Sequence, residues 1–467
     1  MTNENNALAK GSTIEIEIES LAFGGQGIAR HEGLTIFVDN AVPGQVLSCE
    51  ITKLKKRFAF AKRLEVVTHS KEEATPFCEH FGTCGGCLHQ DIDYKSQTYW
   101  KGRQVSDTLA RIGKISQETE GMGKDTLGSP LETGYRNRMN FSFQGYGDEL
   151  TVGFKKRGSE TEVVSVGTCP LLPESCKNIP AMVQSYCSKS KYGTYRHGKG
   201  GYWRKLVVRV SHESGKIMIH VITAPSKTHS AIKGLEELLF AEIPDLKTFA
   251  HSTRIGRPDI AAGERLISLK GEPFITETLK KSDGTPVSYK ISPNAFFQTN
   301  SAGAEVLFQN CLDMAAPAAS DVVYDLFCGS GGIGMFMASS VKKVIGFELS
   351  KETVLSAREN AELNKIENCQ YITANLADKD GIPVELPKPD VIVLDPPRSG
   401  VPAPTLARIL SMAPEKIIYV SCNPSTLARD AERLEGKYTL TKFSSVDMFP
   451  HTAHIECIAL LTRHDKS

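Results

Sequence analysis

The chain has 467 residues, 55 Lys+Arg against 54 Asp+Glu, and 40% hydrophobic residues. That length predicts two to four domains of ordinary globular composition, and the near-zero net charge excludes a histone-like polycation while leaving local basic patches open as nucleic-acid contacts. No apolar run approaches the roughly 18–20 residues of a membrane span, and the polar opening Met1–Asn6 carries no signal-peptide pattern, so the expectation is a cytoplasmic protein with no membrane and no obligate protein partner.

The first regular segment begins at Gly11, where Ile14, Ile16 and Ile18 alternate with Glu15, Glu17 and Glu19. This period of two predicts a strand with one buried face. Gly24-Gly25, the apolar run Thr35–Val38, the turn at Pro43-Gly44 and the run Gln45–Ile51 follow. Short strands parted by Gly and Pro turns, without a helical period, predict a small OB-like β-barrel. The stretch Lys53–Arg63 then holds six basic residues, no acid and two interleaved phenylalanines. It reads either as a solvated strand edge that resists aggregation or as a nucleic-acid contact.

Cys78, Cys84 and Cys87 follow as Cys-x5-Cys-x2-Cys, and Cys169-Pro170 stands further on. The other eight cysteines are scattered, most in apolar contexts, and read as small buried hydrophobes. A helix is predicted from Tyr94 to Gly113, with Trp100, Val105, Leu109 and Ile112 on one face. From about 135 to 290, β-rich runs such as Met139–Phe143 and Leu206–Val210 alternate with helical ones. After about 291 the alternation becomes regular. Val322–Leu326, Lys343–Phe347, Val391–Leu394 and Lys416–Val420 are near-continuous apolar strands separated by helical runs such as Glu352–Asn364. That predicts a parallel sheet covered on both faces.

Asp325-Leu-Phe-Cys-Gly-Ser-Gly-Gly-Ile-Gly334 follows a strand and opens a helix, which suits a dinucleotide, an adenosylmethionine or simply a tight turn. Glu348 ends the next strand, where an acid can hydrogen-bond a ribose. Asp395-Pro-Pro-Arg398 discriminates between these, because two prolines fix the backbone as it leaves the sheet and hold an acid toward the cleft. Hydride-transfer enzymes do not require such a turn, whereas methyltransferases acting on planar nitrogen or base targets often carry Asp/Asn-Pro-Pro there. Ser421-Cys422-Asn423-Pro424 puts a cysteine at a strand end before a helix, whose amides would favour its thiolate. Phe449-Pro-His-Thr-Ala-His-Ile-Glu456 supplies a carboxylate as its acid–base partner, with His451 or His454 as rival proton relays.

Together these motifs, with Pro293–Asn300, resemble the RNA uracil-C5 methyltransferases over essentially the whole chain. The resemblance implies an N-terminal TRAM barrel at 1–68, a central α/β region with a cluster site at 69–290, and a Rossmann-like methyltransferase domain at 291–467. It implies Cys422 as nucleophile and Glu456 as general base, with Gln298, Phe327, Gly332, Glu348, Asn375 and Asp395 at the S-adenosylmethionine positions. Several relatives carry a side chain where Gly332 stands, so contact there is by backbone at most. Cys78, Cys84, Cys87 and Cys169 are then the expected ligands of a [4Fe–4S] cluster; four thiolates also suit zinc, and the Cys-Pro ending favours the cluster. Radical adenosylmethionine enzymes use Cys-x3-Cys-x2-Cys, which is absent. The RNA implied is 23S ribosomal RNA, modified at uridine C5, since the family's transfer-RNA enzymes are typically shorter and lack both cluster and barrel. A transfer-RNA T-loop uridine and a non-catalytic RNA-binding protein on the same scaffold are the alternatives. In this setting Lys53–Arg63 reads as an RNA contact.

Overall fold

The alternation of Ile14, Ile16 and Ile18 with glutamates produces the first strand, Thr13–Glu17, with Ile16 and Ile18 buried. The structure is a computed structural model describing residues 8–256 and 260–464; the polar opening Met1–Asn6 lies outside them. Six strands make the N-terminal sheet. In it, Leu34–Asp39 pairs antiparallel with Gly27–His31 and parallel with Phe58–Thr68. This crossing curls the sheet around Ile36, Val38, Leu47, Cys49 and Ile51. The basic stretch lies on the hairpin of Val46–Leu54 and Phe58–Thr68. Ala59 and Ala61 point inward, while Phe58 and Phe60 meet Phe37 outside at 6.0 and 5.5 Å between ring centres. Lys53 lies 5.9 Å from the Phe60 ring centre. The outer face of this ribbon is therefore both aromatic and cationic.

The predicted helix forms at Tyr94–Ile112, opened by Asp93, whose carboxylate accepts the Ser96 amide at 2.9 Å. Its four apolar residues do not share a face. At about 100° per residue, Trp100 lies roughly 140° around the axis from Val105. Val105 and Leu109 are buried in the same core as Leu427 and Ala428. Trp100 instead packs on Leu21, Val42 and Ile92 and donates to Glu72 at 2.6 Å. Ile112 is left exposed. One helix thus reaches both the barrel and the C-terminal domain.

The central sheet has seven strands, with Trp203–Val210, Ile217–Thr223 and Leu246–Thr253 buried along nearly their whole length. Helices Ile179–Ser188 and Ser230–Glu242 contribute Val183, Leu235 and Leu239 to the core on one of its faces.

The C-terminal sheet runs in the order Cys369–Thr373, Lys343–Glu348, Val322–Leu326, Val391–Leu394, Lys416–Ser421, Glu456–Arg463, Tyr438–Val446. The first five are parallel, Glu456–Arg463 runs antiparallel to its two neighbours, and Tyr438–Val446 therefore points the same way as the first five. Separate apolar cores fill its two faces, as expected for continuous apolar strands. Strand order reverses beside Val322–Leu326, creating the crevice where ligands bind in such sheets. Six of the eight scattered cysteines are buried; Cys369 and Cys422 are partly exposed. Among the described residues no helix is long and apolar enough to cross a membrane.

Candidate active site

The glycine loop turns sharply at the end of Val322–Leu326. Phe327 adopts φ 65°, a left-handed conformation costly for an aromatic residue, and so marks a constrained site. At Gly331, with φ 90°, an added Cβ would lie 2.7 Å from the Tyr371 hydroxyl, so only glycine fits. Buried Asp325 accepts the Gly334 amide at 2.9 Å and ties the loop to the strand. Burial and the neighbouring Asp395 and Glu348 push its carboxyl up to about 7, against the opposing pull of that amide. The Glu348 carboxylate accepts the Gly329 amide at 3.3 Å and the Ser350 amide at 3.0 Å, which fixes it beside the loop.

Phe327, Gly332, Glu348, Asn375 and Asp395 all gather at the carboxyl edge of this sheet, following the ends of four neighbouring strands. Asn375 is exposed and donates to Asp378 at 3.0 Å. The Gly332 carbonyl accepts from the buried Tyr289 hydroxyl at 3.0 Å, so its backbone is engaged. Gln298 comes from outside the sheet. Its carbonyl accepts from Asn137 at 2.9 Å, and the adjoining Phe297 ring lies 5.2 Å from Tyr289. Tyr289 thereby links the Gln298 segment to the glycine loop.

Cys422 leaves the strand Lys416–Ser421 just before the helix Pro424–Leu434. Ser421 pairs with Cys457 across the antiparallel strand. Cys422 and Glu456 therefore stand beside the end of this pairing, close enough for the Glu456 charge to act on the Cys422 thiol. The loop after Asp395 is bolted to the same helix: buried Asp430 accepts the Val401 amide and the Tyr419 hydroxyl at 2.9 Å each, and Arg429 donates to the Ser399 carbonyl at 2.9 Å. Arg398 is held there beside Cys422 and Glu456.

The expected stabilisation of a Cys422 thiolate by helix amides does not prevail. Burial, then the Glu456 charge, push the thiol up, and Arg398 opposes them. Glu456 is itself raised well above the carboxylate range by burial and by Asp395, with Arg398 again opposing. Burial raises Asp395 to about 7. The site thus collects acids that share protons in a poorly solvated cleft beside one guanidinium.

Of the two rival histidines, His451 is hydrogen-bonded away from the cleft, while His454 feels the Arg398 charge. His451, at φ 66°, accepts from Gln97 Nε2 at 3.1 Å, and its carbonyl accepts the Leu88 and His89 amides. His454 is exposed and edge-on to Phe449 at 5.7 Å.

Cys78, Cys84, Cys87 and Cys169 line one cavity together with Phe81, Met139, Phe154 and Arg136. Burial pushes Cys87 up to about 11 and Cys169 up to about 12, and the Arg136 charge opposes both. The buried Arg136 Nε has no hydrogen-bond partner. Among the described residues no three His, Cys, Asp or Glu side chains converge closely enough to hold a single metal ion.

Comparison with known proteins fixes the family. The tRNA (Uracil-5-)-methyltransferase family matches residues 255–464, and the TRAM domain matches residues 8–64. An RNA methyltransferase of Nitratidesulfovibrio vulgaris is 35% identical over 464 residues, covering 98% of this chain and 97% of that one. One from Clostridium tetani is 36% identical over 467 residues, covering 98% and 99%. The crystal structure of Pyrococcus abyssi tRNA (uracil-54, C5)-methyltransferase, in complex with S-adenosyl-L-homocysteine, matches with a TM-score of 0.75 at 25% identity over 96% of this chain and 100% of that one. The chain belongs to the RNA uracil-C5 methyltransferases. Its N-terminal sheet is a TRAM domain. The Pyrococcus enzyme acts on transfer RNA and spans this chain's length, so chain length does not separate ribosomal from transfer-RNA members.

Within this methyltransferase, Arg398 and Tyr289 escaped selection from the sequence. Arg398 sits inside the Asp395-Pro-Pro-Arg398 turn and was legible as a charge fixed beside an acid. Tyr289 had no signal, because its role depends on a hairpin packing under the glycine loop.

Proposed function

We propose that the protein methylates C5 of a uridine in 23S ribosomal RNA through a covalent enzyme–RNA adduct. The observation that supports the chemistry is the nearness of Cys422 and Glu456 at the open edge of the sheet, with Asp395 and Arg398 acting on both; the RNA named follows from the presence of the TRAM domain and the four-cysteine set. S-adenosylmethionine, when bound, supplies an electrophilic methyl group. Gln298, Phe327, Gly332, Glu348, Asn375 and Asp395 would hold it.

C5 of uracil is a weak nucleophile. Addition of the Cys422 thiolate to C6 forms an S–C6 bond and makes C5 enolate-like, so C5 can take the methyl. C5 then carries both methyl and hydrogen. Glu456 removes that proton, the C5–C6 double bond re-forms, and the S–C6 bond breaks to release the thiolate. A carboxylate with a raised pKa is the stronger base for this step. A base stacked inside folded RNA hides its edge, so the target uridine is flipped out. Arg398, by opposing both raised pKa values, assists formation of the thiolate.

We read the four-thiol cavity as the site of a [4Fe–4S] cluster, on the chemistry of its four cysteines. The four cysteines line one cavity, and the Arg136 charge acts on Cys87 and Cys169 there. The cluster's part is structural or RNA-positioning, since methyl transfer is not redox chemistry. The likeness to the Pyrococcus enzyme supports a second reading, a transfer-RNA T-loop uridine.

Transfer of labelled methyl to unmodified 23S ribosomal RNA and to transfer RNA, with Cys422→Ala as control, tests this. Label on C5 of one ribosomal uridine, absent with the variant, is expected. Label confined to transfer RNA selects the second reading, and label on neither overturns both.

A further inference from the structure

The segment Ser188–Lys205 holds six Lys and Arg, one histidine, three tyrosines, a tryptophan and no acid, in a chain whose total charge is +1. It folds as a turn-tipped hairpin on the central sheet, remote in sequence from the TRAM ribbon. Arg196 and Gly200 form an antiparallel bridge at the tip, where the Arg196 amide donates to the Gly200 carbonyl at 2.7 Å, and Thr194 forms a parallel bridge with Trp203 below it. Gly198, Gly200 and Gly201 have φ of 76°, 81° and 105°, which the tight tip requires. The base is rigid. Trp203 is fully buried and donates to Ser190 at 3.2 Å, and Tyr202 meets Tyr192 at 4.6 Å. Arg204 is turned inward and donates to the Arg254 and Gly256 carbonyls. Lys189, Lys191, Arg196, His197 and Lys199 remain exposed.

A rigid, glycine-tipped hairpin presenting cations without counter-charges of its own matches a polyanion backbone, where phosphate contacts position the partner without reading sequence. Its place in the fold fixes which part of the partner it meets. The strand Trp203–Val210 starts at the hairpin and ends at Val210, whose amide donates to the Asn137 carbonyl, and Asn137 holds Gln298. Eight residues at about 3.3–3.4 Å each set the hairpin roughly 25 Å along the strand from the Gln298 segment.

We infer that the Lys189–Lys199 hairpin is a second RNA-docking element, which grips the phosphate backbone of the substrate RNA away from the target stem-loop. This rests on the reading that the protein methylates RNA.

The test compares wild type with R196E/K199E on full-length 23S ribosomal RNA and on a short stem-loop around the mapped uridine. On the long RNA the variant is expected to raise the apparent KM about 10-fold and to make the slope of log K against log salt shallower by about 1–2, one contact accounting for about 0.7–0.9. On the stem-loop the two proteins are expected to coincide, which also shows that the variant is folded. An unchanged KM and salt slope on the long RNA overturns the inference. Equal losses on both substrates overturn it too, as does a loss confined to binding of phosphatidylserine vesicles. Failure of the wild type to methylate either RNA is a separate result. It sinks the ribosomal reading, while the salt slope of RNA binding still tests the hairpin.

Discussion

Lys101 and Asp447 form an ion pair 2.7 Å long with side chains 1% and 0% exposed, across 346 residues of sequence. Lys101 also donates to the Phe449 carbonyl at 3.2 Å, and Asp447 accepts the Phe449 amide at 3.0 Å. The pair sits where the helix Tyr94–Ile112 meets the loop leading to Glu456. It fixes the entry to the strand that carries Glu456, from a helix far away in sequence.

Lys101→Met leaves the Asp447 carboxylate buried without its cation. Such a break costs roughly 3–5 kcal/mol, because the remaining charge keeps its desolvation penalty. Lys101→Met/Asp447→Asn should recover most of that loss, since asparagine can still accept the Phe449 amide. Urea unfolding of both variants measures the difference, and equal stability of the two would remove the argument.

Glu456→Gln preserves shape but removes the base. Addition and methyl transfer proceed and elimination stalls, so turnover falls about 10²–10⁴-fold and a covalent protein–RNA adduct accumulates. A denaturing gel with labelled RNA detects it. A releasing, active Glu456→Gln enzyme would return the role to a histidine.

Arg398 lowers the pKa of both Cys422 and Glu456. Arg398→Gln should therefore move the acid limb of the kcat/KM profile to higher pH, and Arg398→Lys should move it back part of the way. A profile that only falls in height would make Arg398 a binding residue instead.

Asp325 titrates near 4 when unfolded and at about 7 in the fold. Between those values the folded protein holds a proton that the unfolded chain has lost. Stability therefore falls as pH rises across that window and levels off above it. Asp325→Asn keeps an acceptor for the Gly334 amide and should flatten this part of the curve, by up to about 1.4 kcal/mol per pH unit. Melting temperature against pH reads the change.

Protein isolated without oxygen is expected to carry iron and acid-labile sulfide in equal amounts. Cys84→Ser should lose both and lower the melting temperature. Stoichiometric zinc without sulfide would replace the cluster with a single-metal site, whatever the fate of activity.

The sequence by itself determined the elements whose burial pattern is set locally. The Ile14–Ile18 alternation has one buried face, and the runs around Val323, Ile345 and Ile418 are buried on both, so each shows its strand type without reference to a partner. Short motifs also declared Cys422, Glu456, Asp395 and the glycine loop, because turns at strand ends need particular residues within a few positions. Tertiary structure alone decided what depends on approach between distant segments. It turned Trp100 away from Val105, put Lys101 against Asp447 and set Tyr289 under Gly332. It also set the protonation of the site. A helix N-terminus favours a thiolate locally, but desolvation and the nearby Glu456 outweigh it, and both arise only when the strands Lys416–Ser421 and Glu456–Arg463 pair.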